Sequence, residues 1–380
     1  MTAFGSVIPG GAGGAGGAGG AGSADSAEAL ALAVAEALRG HRGANPLVGA
    51  VVTSRDGMVL ATGHHRGRGT AHAEAAALTE FAETSRTDPA DATLWITLEP
   101  CDHTGSTGPC TEAILASGIR RVRYAVADPT GHRGGGAARL RAAGLDVEQL
   151  GPDGAAGDAL ALNRRWLVAR DAGRPFITAH LAQSLDGRVA AADGTSQWIT
   201  GPESRRHAHA VRSRVDAIVV GTGTVAADDP RLTARDAAGD DLTLQPVPVV
   251  QGRRRVPEGA ALRQGPGGTP RPWIHVPDHE PQAVLDRLAE DGIDWPHGGD
   301  RPAHLLIEGG PTVLAAWLGA GLVDEVFVYQ APLVLGGGPT GLDLPHLTTL
   351  TQALRLRLDP AENGGLSRRG DDVLLHYASD

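Results

Sequence analysis

Three residues with affinity for transition metals stand in the first third of the chain: His72, Cys101 and Cys110. One imidazole and two thiolates suit Zn²⁺ and leave its fourth tetrahedral position for water, as a catalytic zinc requires. Zinc makes hydroxide available from such a water at neutral pH. Glu74 comes two residues after His72, placed to stand beside the water without ligating the metal. From there it accepts the water proton and passes protons to a substrate ring and a leaving amine. The chemistry expected of this set is hydrolytic loss of an amino group from a heterocycle. Singly, these residues say little, because a lone His-x-Glu is usually surface decoration and a buried cysteine is usually a small hydrophobe. Their combination says more: both of the chain's only cysteines follow Pro, both are expected to open helices, and both lie downstream of His-x-Glu. Helix N-termini at those places favour the thiolate forms.

The elements that must carry this set can be read along the chain. Residues 10–22 repeat Gly-Gly-Ala, which buries no apolar surface and reads as a flexible tail over 1–23. Helical periodicity begins near Ala24 in AEALALAVAEALRG. Two β-prone runs around Asp56-Gly57 predict a hairpin. AHAEAAALTEFAETS predicts a helix, LWITLEP a short buried strand, CTEAILASGI a helix started by Pro109, and RVRYAVAD a further strand. The alternation continues from Arg139 to Val147, which implies a sheet covered by helices. The segment ALNRRWLVAR closes a first domain, 24–170, and DAGRP (171–175) reads as the joint to a second, 171–380. There FITAHLAQS, DAIVVG, PVPVVQG, RPWIHV and DEVFVYQAP predict strands, and ESRRHAHAVRSR a helix. HLLIEGGPTVLAAWLGAGL reads as strand, glycine turn and helix. Both halves are α/β, and they are not repeats of one another.

Length and composition bound the function. At about 150 residues per domain, 380 residues allow two domains with cores of their own. With 34 basic and 44 acidic residues the net charge is −10, against the basic face that nucleic-acid binding wants. All the basic residues are Arg, since the chain has no Lys. No run approaches the roughly 20 apolar residues of a membrane span, and MTAFGSVIPGG lacks the features of a signal peptide. Two cysteines make no disulfide framework, so a soluble cytoplasmic protein is expected.

The motifs ANPLVGAVV, HHRGRGTAHAEA, TLWITLEPC and HTGSTGPC resemble the deaminase half of the bifunctional riboflavin-biosynthesis deaminase–reductases. RPFITAHLAQSLDGRVA, SQWITGPESRRHAHAVR, DAIVVGTGTVAADDPRLTAR and HLLIEGGPTVLAAWL continue the resemblance into the reductase half. Eight residues between the cysteines, where zinc nucleobase deaminases usually have two, suit this family better than a generic cytidine deaminase. The resemblance implies a cytidine-deaminase-like domain followed by a dihydrofolate-reductase-like domain, with one zinc per chain and NADPH. It implies hydrolysis of the 2-amino group of 2,5-diamino-6-ribosylamino-4(3H)-pyrimidinone 5′-phosphate, then reduction of the ribosyl group to ribityl. It makes His72, Cys101 and Cys110 the zinc ligands and Glu74 the proton shuttle, with Asn45, His65, His103 and Asp128 lining the deaminase pocket. A homodimer or homotetramer is implied as well.

In the reductase half the resemblance places Ser196, Arg212, Leu232, Arg235 and Glu308 at the substrate. The two arginines suit the 5′-phosphate, since a guanidinium grips it bidentately. Ala182, Trp198, Thr224 and Asp228 fall at cofactor positions. Gly310, Pro311 and Thr312 follow a strand and open a helix, where backbone N–H groups and the helix dipole receive a phosphate. Three departures stand out: Ser106 where a basic residue is usual, Thr130 after Asp128-Pro129 in place of Asn, and His180 in place of Lys. They leave open a paralogue acting on a related pyrimidine, or an enzyme with one half degenerate. Neighbouring Arg66 or Arg68 offers a compensating charge.

Overall fold

The computed structural model describes residues 23–40, 45–66, 69–103, 108–129, 135–290, 292–359 and 365–379, with side chains from Ala27. The tail 1–22, Arg68, Ser106 and Thr130 lie outside the described residues.

The first sheet has the order β2-β1-β3-β4-β5, built from β1 (Gly49–Thr53), β2 (Val59–His64), β3 (Thr93–Leu98), β4 (Arg121–Val126) and β5 (Asp146–Gln149). β1 and β2 form the hairpin signalled by Asp56-Gly57, and β3, β4 and β5 run parallel. Helices α1 (Ser23–Ala37), α2 (Ala73–Thr84), α3 (Cys110–Ser117), α4 (Gly136–Ala142) and α5 (Ala155–Ala172) accompany this sheet. Every residue of β1 is buried, and β3 buries all but Trp95, as strands covered on both faces do.

Two glycines set how closely the chemistry-bearing segments approach this sheet. A Cβ on Gly63 in β2 would stand 2.4 Å from the Ala73 carbonyl oxygen, so only glycine lets the first turn of α2 lie on the strand. A Cβ on Gly136 would stand 1.9 Å from the Pro100 carbonyl oxygen, which fixes α4 against the loop that carries Cys101.

The second sheet has nine strands: β6 (Phe176–Gln183), β7 (Ala217–Gly221), β8 (Val247–Gln251), β9 (Ile274–Val276), β10 (His304–Ile307), β11 (Glu325–Gln330), β12 (Leu356–Leu358), β13 (Leu366–Arg369) and β14 (Asp372–Ser379). Its order is β12-β14-β11-β6-β10-β7-β8-β9, with β13 paired to β14. From β11 through β9 all neighbours are parallel, and β14 is antiparallel to β11. Helices α6 (Pro202–Arg212), α7 (Thr222–Asp228), α8 (Pro281–Glu290) and α9 (Pro311–Gly319) complete this half. The parallel strands predict ligand sites at their C-terminal ends.

α5 joins the halves and ends at Gly173, whose φ of 64° turns the chain into β6. Its Arg165 reaches Glu325 of β11 through Nε at 3.0 Å and Nη2 at 3.1 Å, and Arg164 pairs with Asp359. Glu325 has no exposed surface and also accepts from the Thr178 hydroxyl at 2.6 Å and pairs with His376 Nε2 at 3.0 Å. A cavity of about 70 Å³ lies beside this contact, walled by Asn45 and Trp166 on one side and by Arg214, Asp216, His297 and His304 on the other.

Candidate active sites

His72 is the N-cap of α2, and Glu74 sits in that helix's first turn. Cys110 begins α3 with Pro109 as its N-cap, one position earlier than a helix-starting Pro. Cys101 does not open a helix: it lies in the loop after β3, where its carbonyl accepts the Thr111 N–H at 3.2 Å. His72 Nδ1 stands 3.1 Å from Cys110 Sγ and 3.5 Å from Cys101 Sγ, and all three candidate donors lie within 4.8 Å of one another. Contacts from Cys110 and His72 hold the Cys101 thiol down to about 4. That thiolate and burial push the Cys110 thiol up, so a second thiolate beside the first calls for a cation. One nitrogen and two soft sulfurs fit zinc and leave a coordination position open. Glu74 is 3% exposed, and burial pushes its carboxyl above the usual range.

The predicted pocket residues gather around these donors. Asn45 Nδ2 lies 3.1 Å from His65 Nε2, while His65 Nδ1 faces the Ala71 carbonyl at 3.2 Å. With the amide donating, His65 carries its proton on Nδ1 and is neutral, consistent with the burial that lowers its pKa. The His65 and His72 rings meet edge to face at 5.4 Å. His103 follows Cys101 by two residues and has its Nδ1 buried without a partner. Asp128 follows β4, its N–H donating to Glu99 at 3.2 Å. No motif in the sequence singles out Glu99. Its other oxygen accepts from Gly135 and Ala137 at 3.1 Å each, so one carboxylate at the end of β3 ties together the loops after β4.

The second site lies at the C-terminal ends of β6, β7 and β10. Glu308, directly after β10, accepts from Arg212 Nε at 2.9 Å and Nη2 at 2.5 Å, and Arg212 Nη1 bonds the Thr233 carbonyl at 3.1 Å. The fork of Arg212 thus engages Glu308, another of the residues expected at the substrate. Arg212 and His180 hold the Glu308 carboxyl well below the usual range against the opposing effect of burial. His180 Nδ1 stands 3.4 Å from Glu308, and its ring meets Phe327 and Tyr329 edge to face. Burial lowers the His180 pKa, so this position offers a neutral imidazole where lysine would bring a cation.

Trp198 is 68% exposed with the Arg205 guanidinium 4.5 Å from its ring centre, so its indole is no part of the core. Ser196 reaches Asp228 at 3.4 Å, and Ala182 lies exposed near the end of β6. Leu232 is buried with a φ of 53°. Thr224 accepts the Gly310 N–H at 3.2 Å, and Pro311 has no N–H.

Comparison with known proteins bears on both sites. Residues 175–366 match the family described as RibD C-terminal domain, and 23–126 match the cytidine and deoxycytidylate deaminase zinc-binding region. The riboflavin biosynthesis protein RibD of Mycobacterium tuberculosis is 40% identical over 352 residues, spanning 92% of this chain and 96% of its own. The chain belongs to the RibD family. RibD of Escherichia coli is 35% identical over 374 residues, 92% of this chain and 97% of its own. The solved RibD of Acinetobacter baumannii superposes with a TM-score of 0.79 at 30% identity, covering 94% of this chain and 99% of that one. Membership in the RibD family makes the chain a bifunctional deaminase and reductase of riboflavin biosynthesis, a deaminase domain followed by a dihydrofolate-reductase-like domain. Its cofactors are Zn²⁺ in the first half and NADPH in the second. Among the described residues no helix is long and apolar enough to cross a membrane.

Proposed function

We propose that the first half hydrolyses the 2-amino group of 2,5-diamino-6-ribosylamino-4(3H)-pyrimidinone 5′-phosphate and that the second half reduces the ribosyl chain of the product to ribityl with NADPH. A solved diaminohydroxyphosphoribosylaminopyrimidine deaminase/5-amino-6-(5-phosphoribosylamino)uracil reductase from Thermotoga maritima is 28% identical, with a TM-score of 0.78 over 94% of this chain and 99% of its own. The observation that carries the reading is the convergence of His72, Cys101 and Cys110 beside the buried Glu74. In this reading those three residues hold the zinc, whose chemistry when bound is to make water nucleophilic at neutral pH. Glu74 takes the proton of the attacking water and returns protons to the ring and the leaving amine. Asn45, His65, His103 and Asp128 orient the pyrimidine.

In the reductase half, Ser196, Arg212, Leu232, Arg235 and Glu308 meet the substrate, with Arg212 also paired to Glu308. Ala182, Trp198, Thr224, Asp228 and the start of α9 at Gly310, Pro311 and Thr312 meet the cofactor. The protein's task there is orientation, since hydride donation belongs to the nicotinamide. The tail occupies 1–23, the deaminase domain 24–170 and the reductase domain 171–380, and two free thiols suit the reducing cytoplasm. A homo-oligomer, dimer or tetramer, is supported by exposed Leu356, Leu358, Leu366 and Val373 at the β12–β14 edge of the second sheet. Light scattering on a sizing column reads its mass.

The test is mass spectrometry of products after incubating zinc-loaded protein with the ribotide, with and without NADPH. Deaminated product without cofactor, and the ribityl form only with it, is the expected result. Unchanged substrate from folded, zinc-containing protein would overturn the substrate assignment and favour a related pyrimidine.

A further inference from the structure

Eight residues separate Cys101 from Cys110, so no single tight turn fixes the distance between their sulfurs. A spacer of that length can bring its ends together in many ways. Contacts outside the spacer must hold the two segments at the separation a metal needs. The backbone supplies a first link: the Thr111 N–H donates to the Cys101 carbonyl at 3.2 Å, and the Cys110 N–H to Cys101 Sγ at 3.5 Å.

The residues that directly follow the two cysteines supply a second link. Asp102 accepts the Thr111 hydroxyl at 2.6 Å, so the side chain after one cysteine bonds the side chain after the other. Arg139 of α4 joins both, its Nη1 donating to the same Asp102 oxygen and to Thr111 Oγ1 at 3.2 Å. Arg139 Nη2 also stands 3.6 Å from Glu112, the next residue along α3. Asp102 and Arg139 are partly exposed, and an ion pair in that setting contributes little by itself. Thr111 is fully buried, however, and its hydroxyl turns the pair into a three-membered network of fixed geometry.

α4 is itself fastened to the segment that carries Cys101. Glu99 accepts the N–H groups of Gly135 and Ala137 at 3.1 Å each. The close approach of Gly136 to the Pro100 carbonyl also brings α4 against Thr111, whose Cγ2 would lie 3.1 Å from a Cβ on that glycine. The start of α4 thus meets the two residues before Cys101, and its Arg139 meets the one after.

We propose that Arg139, Asp102 and Thr111 form a splint that sets the separation of Cys101 and Cys110, and that the three are positioning residues for zinc retention. Donors arranged in advance bind more tightly, because the loop is not ordered at the moment of binding. The splint rests on Cys101 and Cys110 being zinc ligands, as proposed above.

Competition for zinc between the loaded full chain and a chromogenic chelator reads the effect as an affinity. Thr111→Val keeps the branched shape and loses the hydroxyl, whereas Thr111→Ser keeps the hydroxyl and loses the methyl. Thr111→Val and Arg139→Met are each expected to bind zinc about 10-fold or more weakly, with Thr111→Ser near wild type. Packing alone would reverse the order of the two Thr111 variants, and that result overturns the splint. Wild-type affinity in all three variants overturns it as well. A wild-type chain that takes up no zinc would instead overturn the ligand set, and the splint with it.

Discussion

Arg212 and Glu308, 96 positions apart in sequence, are joined by two guanidinium nitrogens, Nε at 2.9 Å and Nη2 at 2.5 Å. Both are largely buried, so removing one partner strands the other's charge. Arg212→Met is expected to destabilise the protein by about 3–5 kcal/mol, and Arg212→Met with Glu308→Gln by clearly less. Thermal denaturation of the two single variants and the double variant forms the cycle. Additive losses would mean that the pair contributes no coupling.

Glu74 allows the two activities to be separated. Glu74→Gln keeps the shape and the helix position but removes the group that carries protons, so ammonia release is expected to fall by about 10²–10⁴-fold. Reduction of supplied deaminated ribotide, whose site lies in the other sheet, should stay near wild type. Loss of both activities in a folded variant would argue against independent sites.

Metal content tests the ligand set without reference to turnover. With Cys110→Ser the donor set loses one of its two sulfurs, and zinc measured by plasma mass spectrometry should fall from about one per chain to near zero after chelator dialysis. Glu74→Gln should keep its zinc under the same treatment. Full retention by the serine variant would remove Cys110 from the ligand set.

Much of this arrangement is legible in the sequence where local pattern decides it. Alternating β-prone and helical runs, Asp56-Gly57 in the hairpin and Gly309-Gly310-Pro311 between β10 and α9 all correspond to elements of the structure. The C-terminal strands are not legible in this way. β13 reads LSRR and takes its strand conformation from pairing with β14, and no apolar alternation marks it. α8 carries its signal in Val284, Leu285 and Leu288, a helical spacing that the Gly- and Pro-rich surroundings obscure. Cys101 misleads for a physical reason: a Pro before a cysteine suggests a helix start, but here only Pro109 caps one. The His72–Glu74–Cys set is readable because few other uses need it, whereas the partner of Arg212 depends on which strand ends the fold brings together.

Asp216 provides a pH test of the contact between the halves. It is 1% exposed, precedes β7 at the cavity beside α5, and accepts the N–H groups of Ala303 and His304 at 2.7 and 3.0 Å. Burial outweighs those donors and raises its pKa from 3.8 to about 6. The folded protein therefore binds more protons at this site than the unfolded chain between the two values, so stability falls as pH rises through that window and stays lower above it. Asp216→Asn keeps an oxygen for both N–H groups and cannot ionise. Relative to wild type its stability should rise across the window, by on the order of 2–3 kcal/mol from end to end. Urea denaturation of both proteins at four pH values between about 4 and 7 measures the difference directly. A difference that does not change with pH would mean that Asp216 ionises in the folded protein as it does in the unfolded chain, through solvent reaching the cavity between the halves.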